Sequence, residues 1–174
     1  MVEVGSMAWQ RLRHQALVAL LAGMLAGPAV ACSYDGMAID LSLSHPASLG
    51  VALAAQQAYQ SGSLARPLPL PGGFGMRRTL ALLEQLRQRL PADAPAFQLL
   101  LVEPGLWSRF TAQGVQLHAT PEEGAALVVL SEGALIALEK GRLSADAALQ
   151  QGVLSLQGAD QAALARLWRS AYPG

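Results

Sequence analysis

The sequence predicts an α+β fold built around a mainly antiparallel sheet. Two observations support this prediction. Four short strand candidates, separated by turns, follow one another between residues 97 and 131. An amphipathic helix precedes them, and a pattern of two short helices, a strand and a last helix follows them. The length of 174 residues suits one domain with a short appendage.

Residues 1–31 have the pattern of a secretory signal peptide. Two arginines form a basic start, residues 16–27 form an uncharged apolar run, and residues 29–31 (Ala-Val-Ala) are small enough for a cleavage site. The apolar run is shorter than the roughly 20 residues that a membrane-spanning helix needs. We therefore expect cleavage near Ala31 and a periplasmic or secreted protein. The alternative is a retained N-terminal anchor helix.

Cleavage after Ala31 would place Cys32, the only cysteine, at the new N-terminus. Three fates are open for this thiol. Lipid modification would make the protein a membrane-anchored lipoprotein. The thiol would otherwise stay free or pair with another chain. As a third fate, Cys32 would bind copper or zinc together with His45, with Asp35 in the same segment and His118 as further candidate ligands, since thiolate and imidazole suit these metals. The spacing of Cys32 and His45 matches no standard zinc finger, and His45 is also well placed simply to precede a helix.

The composition of the mature chain argues against several function classes. Removing residues 1–31 leaves ten basic and eleven acidic residues, so no nucleic-acid partner is expected. The sequence contains no GxSxG, phosphate-binding loop, CxxC or HExxH motif, so we predict neither an enzyme nor a cofactor. Membrane association is expected only if Cys32 is lipidated.

Residues 32–75 are predicted to be an N-terminal extension. A helix is expected to begin near Ala47, after Pro46, and to end near Gly62. Leu49, Leu53 and Tyr59 give this helix a modest apolar stripe, to which its many alanines contribute. A proline- and glycine-rich linker follows this helix.

Residues 76–90 form the clearest amphipathic helix. One methionine and four leucines recur at a spacing of three to four residues, which buries one face against a sheet or a bundle. Arg77 and Arg78 near its start suggest either an anion site or, more simply, a solvated face.

The strand candidates are residues 97–103, 106–112, 114–120 and 125–131. The second and third alternate in polarity, whereas the fourth is an unbroken apolar run that suits a strand covered on both faces. Their regular spacing favours an antiparallel meander.

Two short helices then follow, each with its own start and stop signal. Ser131 and Ser144 are suitable N-caps, and Gly141 and Gly152 can adopt the left-handed conformation that ends a helix. Gly133 falls in the first turn, where it slightly weakens the helix. Both helices are too short to be stable without tertiary packing.

The segment "VVLSEGALIALEKGRLSADAALQQGVLSLQGADQAALARLW", residues 128–168, resembles the C-terminal half of the type-two sterol carrier protein family. The strands and helix before it extend the resemblance over residues 76–172. It implies a twisted sheet with helices packed on one side, and it divides the mature chain into the extension 32–75 and a sterol-carrier-like domain 76–174. The positions that match the family pattern are Gly141, Leu143, Ala147, Ala148, Gly152, Leu154, Leu156 and Gly158.

The resemblance also implies a function. Some members keep an apolar tunnel for lipids or fatty acyl groups between sheet and helices, and others use the fold only as a scaffold. We therefore expect an exported, non-catalytic binding protein for a small lipid or acyl ligand. The first alternative is an accessory protein that docks on another exported protein without a ligand, and the second is a metal-binding accessory that uses Cys32 and His45. The same side chains would also fill a closed core. The predicted ligand-lining residues are Leu130, Leu135, Leu138, Leu149, Leu154, Leu156, Leu164 and Trp168.

Overall fold

Five strands form one mixed sheet in the computed structural model, which describes residues 45–174. The predicted signal peptide 1–31, Cys32 and the rest of the chain before His45 lie outside the described residues. The strands are β1 (Phe97–Leu101), β2 (Leu106–Thr111), β3 (Gly114–Leu117), β4 (Leu127–Leu130) and β5 (Leu154–Gln157). The helices are α1 (Pro46–Ser61), α2 (Phe74–Arg89), α3 (Glu132–Glu139), α4 (Ala145–Gln150) and α5 (Gln161–Ala171).

The sheet has the strand order β3-β2-β1-β4-β5. The predicted α+β class and mainly antiparallel sheet are confirmed, because only the β1–β4 pair is parallel. The predicted meander is correct for the first three strands and wrong for the fourth, which crosses back to lie beside β1. All four residues of β4 are buried, and a strand covered on both faces has to lie inside the sheet, away from its edges.

A buried glutamine holds the loop that makes this crossing. Gln98 of β1 is 2% exposed, so its amide needs protein partners. Its Nε2 donates to the backbone carbonyl of Thr120 at 2.8 Å, and its Oε1 accepts from the backbone N–H of Glu122 at 3.0 Å. The side chain thereby fixes the path from β3 to β4.

The main core lies between one face of the sheet and helices α2, α3 and α5. Alternate residues of β1, Leu99 and Leu101, meet the apolar stripe of α2 there. The predicted stripe is confirmed at Leu83 and Leu86, which are both at most 1% exposed. Full burial of each leucine contributes about 1.5–3 kcal/mol, so this contact supplies a large part of the stability of the layer.

Helix α1 packs through small residues instead of through its large ones. The predicted stripe is wrong for Leu49 and Leu53, which are 67% and 63% exposed. The buried residues are Val51, Ala55 and Ala58, which share one helical face at spacings of four and three. Small side chains let the helix backbone approach its neighbours closely, whereas leucines on this face would hold it away.

The start of α1 covers part of the opposite face of the sheet. Val51 packs there with Leu100, Trp107 and Val129 in a second, smaller core. The second half of the same helix reaches the main core through its alanines. Helix α1 thus adds a partial third layer to the predicted arrangement of helices on one side.

The predicted caps of the short helices are confirmed. The side-chain oxygens of Ser131 and Ser144 each accept the backbone N–H three residues later, at 3.1 and 3.2 Å. Gly141 and Gly152 have φ values of 63° and 71°, which lie in the left-handed region that favours glycine. Local chemistry therefore sets where α3 and α4 begin and where the chain turns after them.

Candidate functional site

An open cleft of about 770 Å³ lies beside the edge strand β5. We call it the β5 cleft. Its volume is within the range of about 300–1,000 Å³ that is usual for small-molecule sites. Its walls come from the first half of α1, from the end of α4, from β5 and from α5. The described residues that line it are Ala47, Gly50, Val51, Leu149, Gly152, Leu154, Ser155, Leu156, Gln157, Gln161, Ala162 and Ala165.

Small residues on the facing helices create this space. Ala47 and Gly50 line it from α1, and Ala162 and Ala165 line it from α5. A Cβ atom added to Gly50 would meet no atom within 4 Å, so the region around this position is open. Larger side chains at Gly50, Ala162 or Ala165 would occupy part of the cleft.

The chemistry of the β5 cleft is neutral. None of the described residues that line it carries a charge. The polar groups are two glutamines and a serine of β5 and α5, and Gln157 Nε2 donates to Ser155 Oγ at 2.8 Å. Aliphatic walls with a few uncharged hydrogen-bonding groups suit an apolar molecule with a neutral polar end.

The eight predicted lining residues divide into two groups. Leu149, Leu154 and Leu156 line the β5 cleft. The other five do not line it; they are at most 1% exposed and pack inside the main core, as Leu154 also does. These five are Leu130, Leu135, Leu138, Leu164 and Trp168.

The walls that α1 and the alanines of α5 contribute are not among the predicted lining residues. Helix α1 lies outside the region that resembles the sterol carrier family, and the predicted lining residues are all large and apolar. The available signal was the run of small residues in α1 and the alanines of α5. Small residues indicate close packing or open space equally well, so the signal does not distinguish the two.

A buried ion pair lies at the start of α3, near the end of the α1–α2 linker. Glu132 is fully buried, and its carboxylate accepts two hydrogen bonds from the guanidinium of Arg78, each of 3.1 Å. The hydroxyl of Thr79 donates to it at 3.0 Å. Both hypotheses for Arg78, an anion site and a solvated face, are therefore wrong. Its partner is a carboxylate of the protein, brought there by tertiary folding.

A second carboxylate, that of Glu103, connects α1 to the start of α3. The hydroxyl of Tyr59 donates to Glu103 Oε1 at 2.7 Å, and the backbone N–H of Glu132 donates to Glu103 Oε2 at 2.7 Å. Burial raises the pKa of the Glu103 carboxyl above its usual range, while these hydrogen bonds oppose the rise. Glu103 therefore links α1, the end of β1 and the start of α3.

The raised pKa of Glu103 predicts a pH dependence of stability. The folded state holds its proton more tightly than the unfolded chain does. The stability contributed by this proton is complete below the unfolded pKa, about 4.3 for Glu, and is lost as the pH rises through the folded pKa. Compared with Glu103→Gln, the unmodified protein should gain free energy of unfolding as the pH falls from 7 to 4.5. Urea unfolding at several pH values measures this difference.

The matched control for this measurement is Glu123→Gln, which alters an exposed carboxylate. We expect its stability to run parallel to that of the unmodified protein over the same pH range. Parallel curves for the Glu103 variant would contradict the prediction.

The metal hypothesis stays a prediction, because Cys32 lies outside the described residues. His45 caps α1, where its Nδ1 accepts from the backbone N–H of Ala47 at 3.1 Å. His118 is exposed just after β3. Within residues 45–174, no three His, Cys, Asp or Glu side chains are grouped so that they could hold a metal ion.

No family model matches the chain, and no curated protein is significantly similar to it. Among solved structures, it is similar to sterol carrier protein 2 like 2 from Aedes aegypti, at 16% identity and a TM-score of 0.41, over 53% of this chain and 98% of that chain. A solution NMR structure of palmitated sterol carrier protein 2 like 2 from Aedes aegypti is similar at 23% identity and a TM-score of 0.39, over 49% and 88% of the two chains.

The chain is also similar to part of the stereoselective inverting sec-alkylsulfatase Pisa1 from Pseudomonas sp. The identity is 17% and the TM-score 0.39, over 49% of this chain and 15% of that chain. At these values the likeness concerns the fold alone. The predicted resemblance to the sterol carrier family is matched at the level of the fold.

Proposed function

We propose that the protein is a non-catalytic binding protein for a small apolar ligand, which it holds in the β5 cleft. The observation that carries this proposal is the cleft itself, about 770 Å³ in volume and lined by small, aliphatic and uncharged polar residues. The sequence resemblance to the type-two sterol carrier family favours the same class of ligand.

Burial of apolar surface alone can supply the free energy that binds such a ligand. Each CH₂ group moved from water into an apolar environment contributes about 0.8 kcal/mol, so a long alkyl chain binds without a charged head-group site. The uncharged polar groups of Ser155 and Gln157 can form hydrogen bonds with a hydroxyl or a carbonyl at one end of the ligand. We propose a lipid or acyl compound as the ligand class.

We also propose that the protein acts after export, in the periplasm or outside the cell. The support for this is the signal-peptide pattern of residues 1–31. Lipidation of Cys32 would keep the exported protein at a membrane. Labelling with a radioactive fatty acid in the producing cell, compared between the natural chain and Cys32→Ser, tests the anchor.

The second candidate function is that of a scaffold that docks on another exported protein without a ligand. It is favoured by the tight packing of five predicted lining residues in the main core. Native mass spectrometry of the protein purified from its producing cell separates the two. A co-purifying apolar molecule supports the binding protein, and a protein partner without such a molecule supports the scaffold.

Filling the β5 cleft should weaken ligand binding. We expect Ala165→Trp to weaken binding of 1-hexadecanol at least about tenfold, because the indole takes the volume in which the alkyl chain would be buried. Equilibrium binding of the radiolabelled alcohol to the full chain measures the effect. Ser170→Trp, at an exposed position of the same helix that does not line the cleft, should bind like the unmodified protein. Equal affinity of both variants would contradict the proposed site.

A further inference from the structure

The linker between α1 and α2, together with the first residue of α2, displays large apolar side chains to solvent. We call residues 65–74 the apolar loop. Leu68 is 74% exposed, Phe74 is 59% exposed, and Leu70 between them is also exposed. A single exposed apolar residue is normal, but a group of them close together indicates an interaction surface.

The apolar loop is held in position. Leu64, directly before it, is buried in the main core, and the Nη1 of Arg78 donates to the backbone carbonyl of Leu68 at 2.7 Å. The same guanidinium binds the buried Glu132, so the loop is fastened to a rigid part of the molecule. Its leucines are therefore presented outward by a fixed backbone.

The backbone of the apolar loop is suited to a medium poor in water. Pro67, Pro69 and Pro71 have no backbone N–H. An N–H without a partner costs free energy when it leaves water, and three fewer such groups lower the cost of moving the loop into a less polar region.

Positive charge borders the same surface. Residues 62–83 contain three arginines and no acidic residue. The guanidinium of Arg77 lies over the ring of Phe74, 5.3 Å from its centroid, and Arg66 donates to Gln56 at 2.7 Å. Within residues 45–174, neither Arg66 nor Arg77 forms an ion pair. Both charges are available to an external anion.

We propose that the apolar loop docks the protein on the surface of an anionic lipid bilayer. Leu68, Leu70 and Phe74 enter the boundary between head groups and acyl chains, while Arg66 and Arg77 meet the phosphates. Protruding apolar side chains flanked by cations suit this boundary. In residues 45–174, no helix is both long and apolar enough to cross a bilayer. The inference is independent of the ligand in the β5 cleft.

A local fluorescent probe tests the proposal in the full chain. Residues 1–31 carry an apolar run of their own, so sedimentation with vesicles would not isolate the loop. With Cys32→Ser as background, Ala65→Cys places an environment-sensitive dye in the loop without removing an apolar anchor, and Gln113→Cys places it in the exposed β2–β3 turn as a control. Vesicles of equal phosphatidylglycerol and phosphatidylcholine should blue-shift the dye at position 65 and leave the control unchanged.

Two further variants separate the apolar from the electrostatic contribution. In the double variant Leu68→Ser, Phe74→Ser, the lipid concentration that gives half of the blue shift at position 65 should rise at least about tenfold. In the double variant Arg66→Gln, Arg77→Gln, the concentration of anionic vesicles that gives half of the blue shift should also rise about tenfold or more. High salt should have the same effect on the unsubstituted loop. No blue shift with anionic vesicles, an equal shift at position 113, or a shift only with another exported protein would overturn the proposal.

Discussion

Gly158→Ala is expected to destabilise the protein by about 3 kcal/mol or more. Gly158 has a φ of 72° at the end of β5, a conformation that L-residues with a side chain rarely adopt. A Cβ atom there would lie 2.9 Å from the carbonyl carbon of Ala125 and closer still to its oxygen. The obstacle is backbone, which has no rotamer to relieve the clash, so the strand end and the loop before β4 must separate.

The matched control is Gly141→Ala. Gly141 has a similar φ of 63°, but a Cβ there would meet nothing within 4 Å. It should therefore cost only the backbone strain, about 1–2 kcal/mol. Urea unfolding followed by circular dichroism measures both variants. An equal loss in the two would show that the contact with Ala125 does not determine the effect.

Gly158→Ala should also impair ligand binding. The residue lies between β5 and α5, which both line the β5 cleft, and the backbone N–H of the next residue, Ala159, bonds to the carbonyl of Gly124. A displaced turn would move the two walls relative to each other. We expect weaker binding of 1-hexadecanol by this variant even under conditions where it remains folded.

Gly133→Ala is expected to destabilise the protein by about 2–4 kcal/mol, although alanine is the better helix former. A Cβ at this position would lie 2.7 Å from the Cε1 atom of Tyr59 and closer still to its hydroxyl oxygen. Tyr59 would have to swing away and would lose its hydrogen bond to the buried Glu103. The attachment of α1 to the start of α3 would loosen as a result.

A double-mutant cycle with Tyr59→Ala tests this explanation. Tyr59→Ala removes the ring and its hydrogen bond, so it is itself destabilising. In that background the substitution at Gly133 should cost nothing or even stabilise α3, since it then acts only through helix propensity. Thermal or urea unfolding of the four proteins gives the coupling. The same cost of Gly133→Ala in both backgrounds would rule out the clash with Tyr59.

Several local features of the fold could be predicted from the sequence. The caps at Ser131 and Ser144 and the left-handed glycines at positions 141 and 152 depend on chemistry within a few residues, and all are confirmed. The stripe of α2 also follows from spacing along one helix. The resemblance to the sterol carrier family added the arrangement of the layers, which the structure shows in its sheet and covering helices.

Predictions that depended on distant neighbours were less successful. The parallel pairing of β1 with β4 joins residues about thirty positions apart, and the pattern of four strands alone does not indicate which pair lies side by side. The spacing of residues in α1 does not indicate that its leucines face solvent, whereas Val51, Ala55 and Ala58 make the contact because they allow close approach. The roles of Arg78 and Gly133 depend on Glu132 and Tyr59, which only folding brings near them.

The sequence by itself determined the secondary structure, the helix ends and the α+β class of this protein, because these follow from propensity, periodicity and capping within short segments. Only the tertiary structure decided that the cleft lies at the β5 edge and that five of the eight predicted lining residues lie away from it in the main core. The physical reason is that a cavity is the space left between surfaces, and its position depends on how closely distant elements approach. No single segment carries that information.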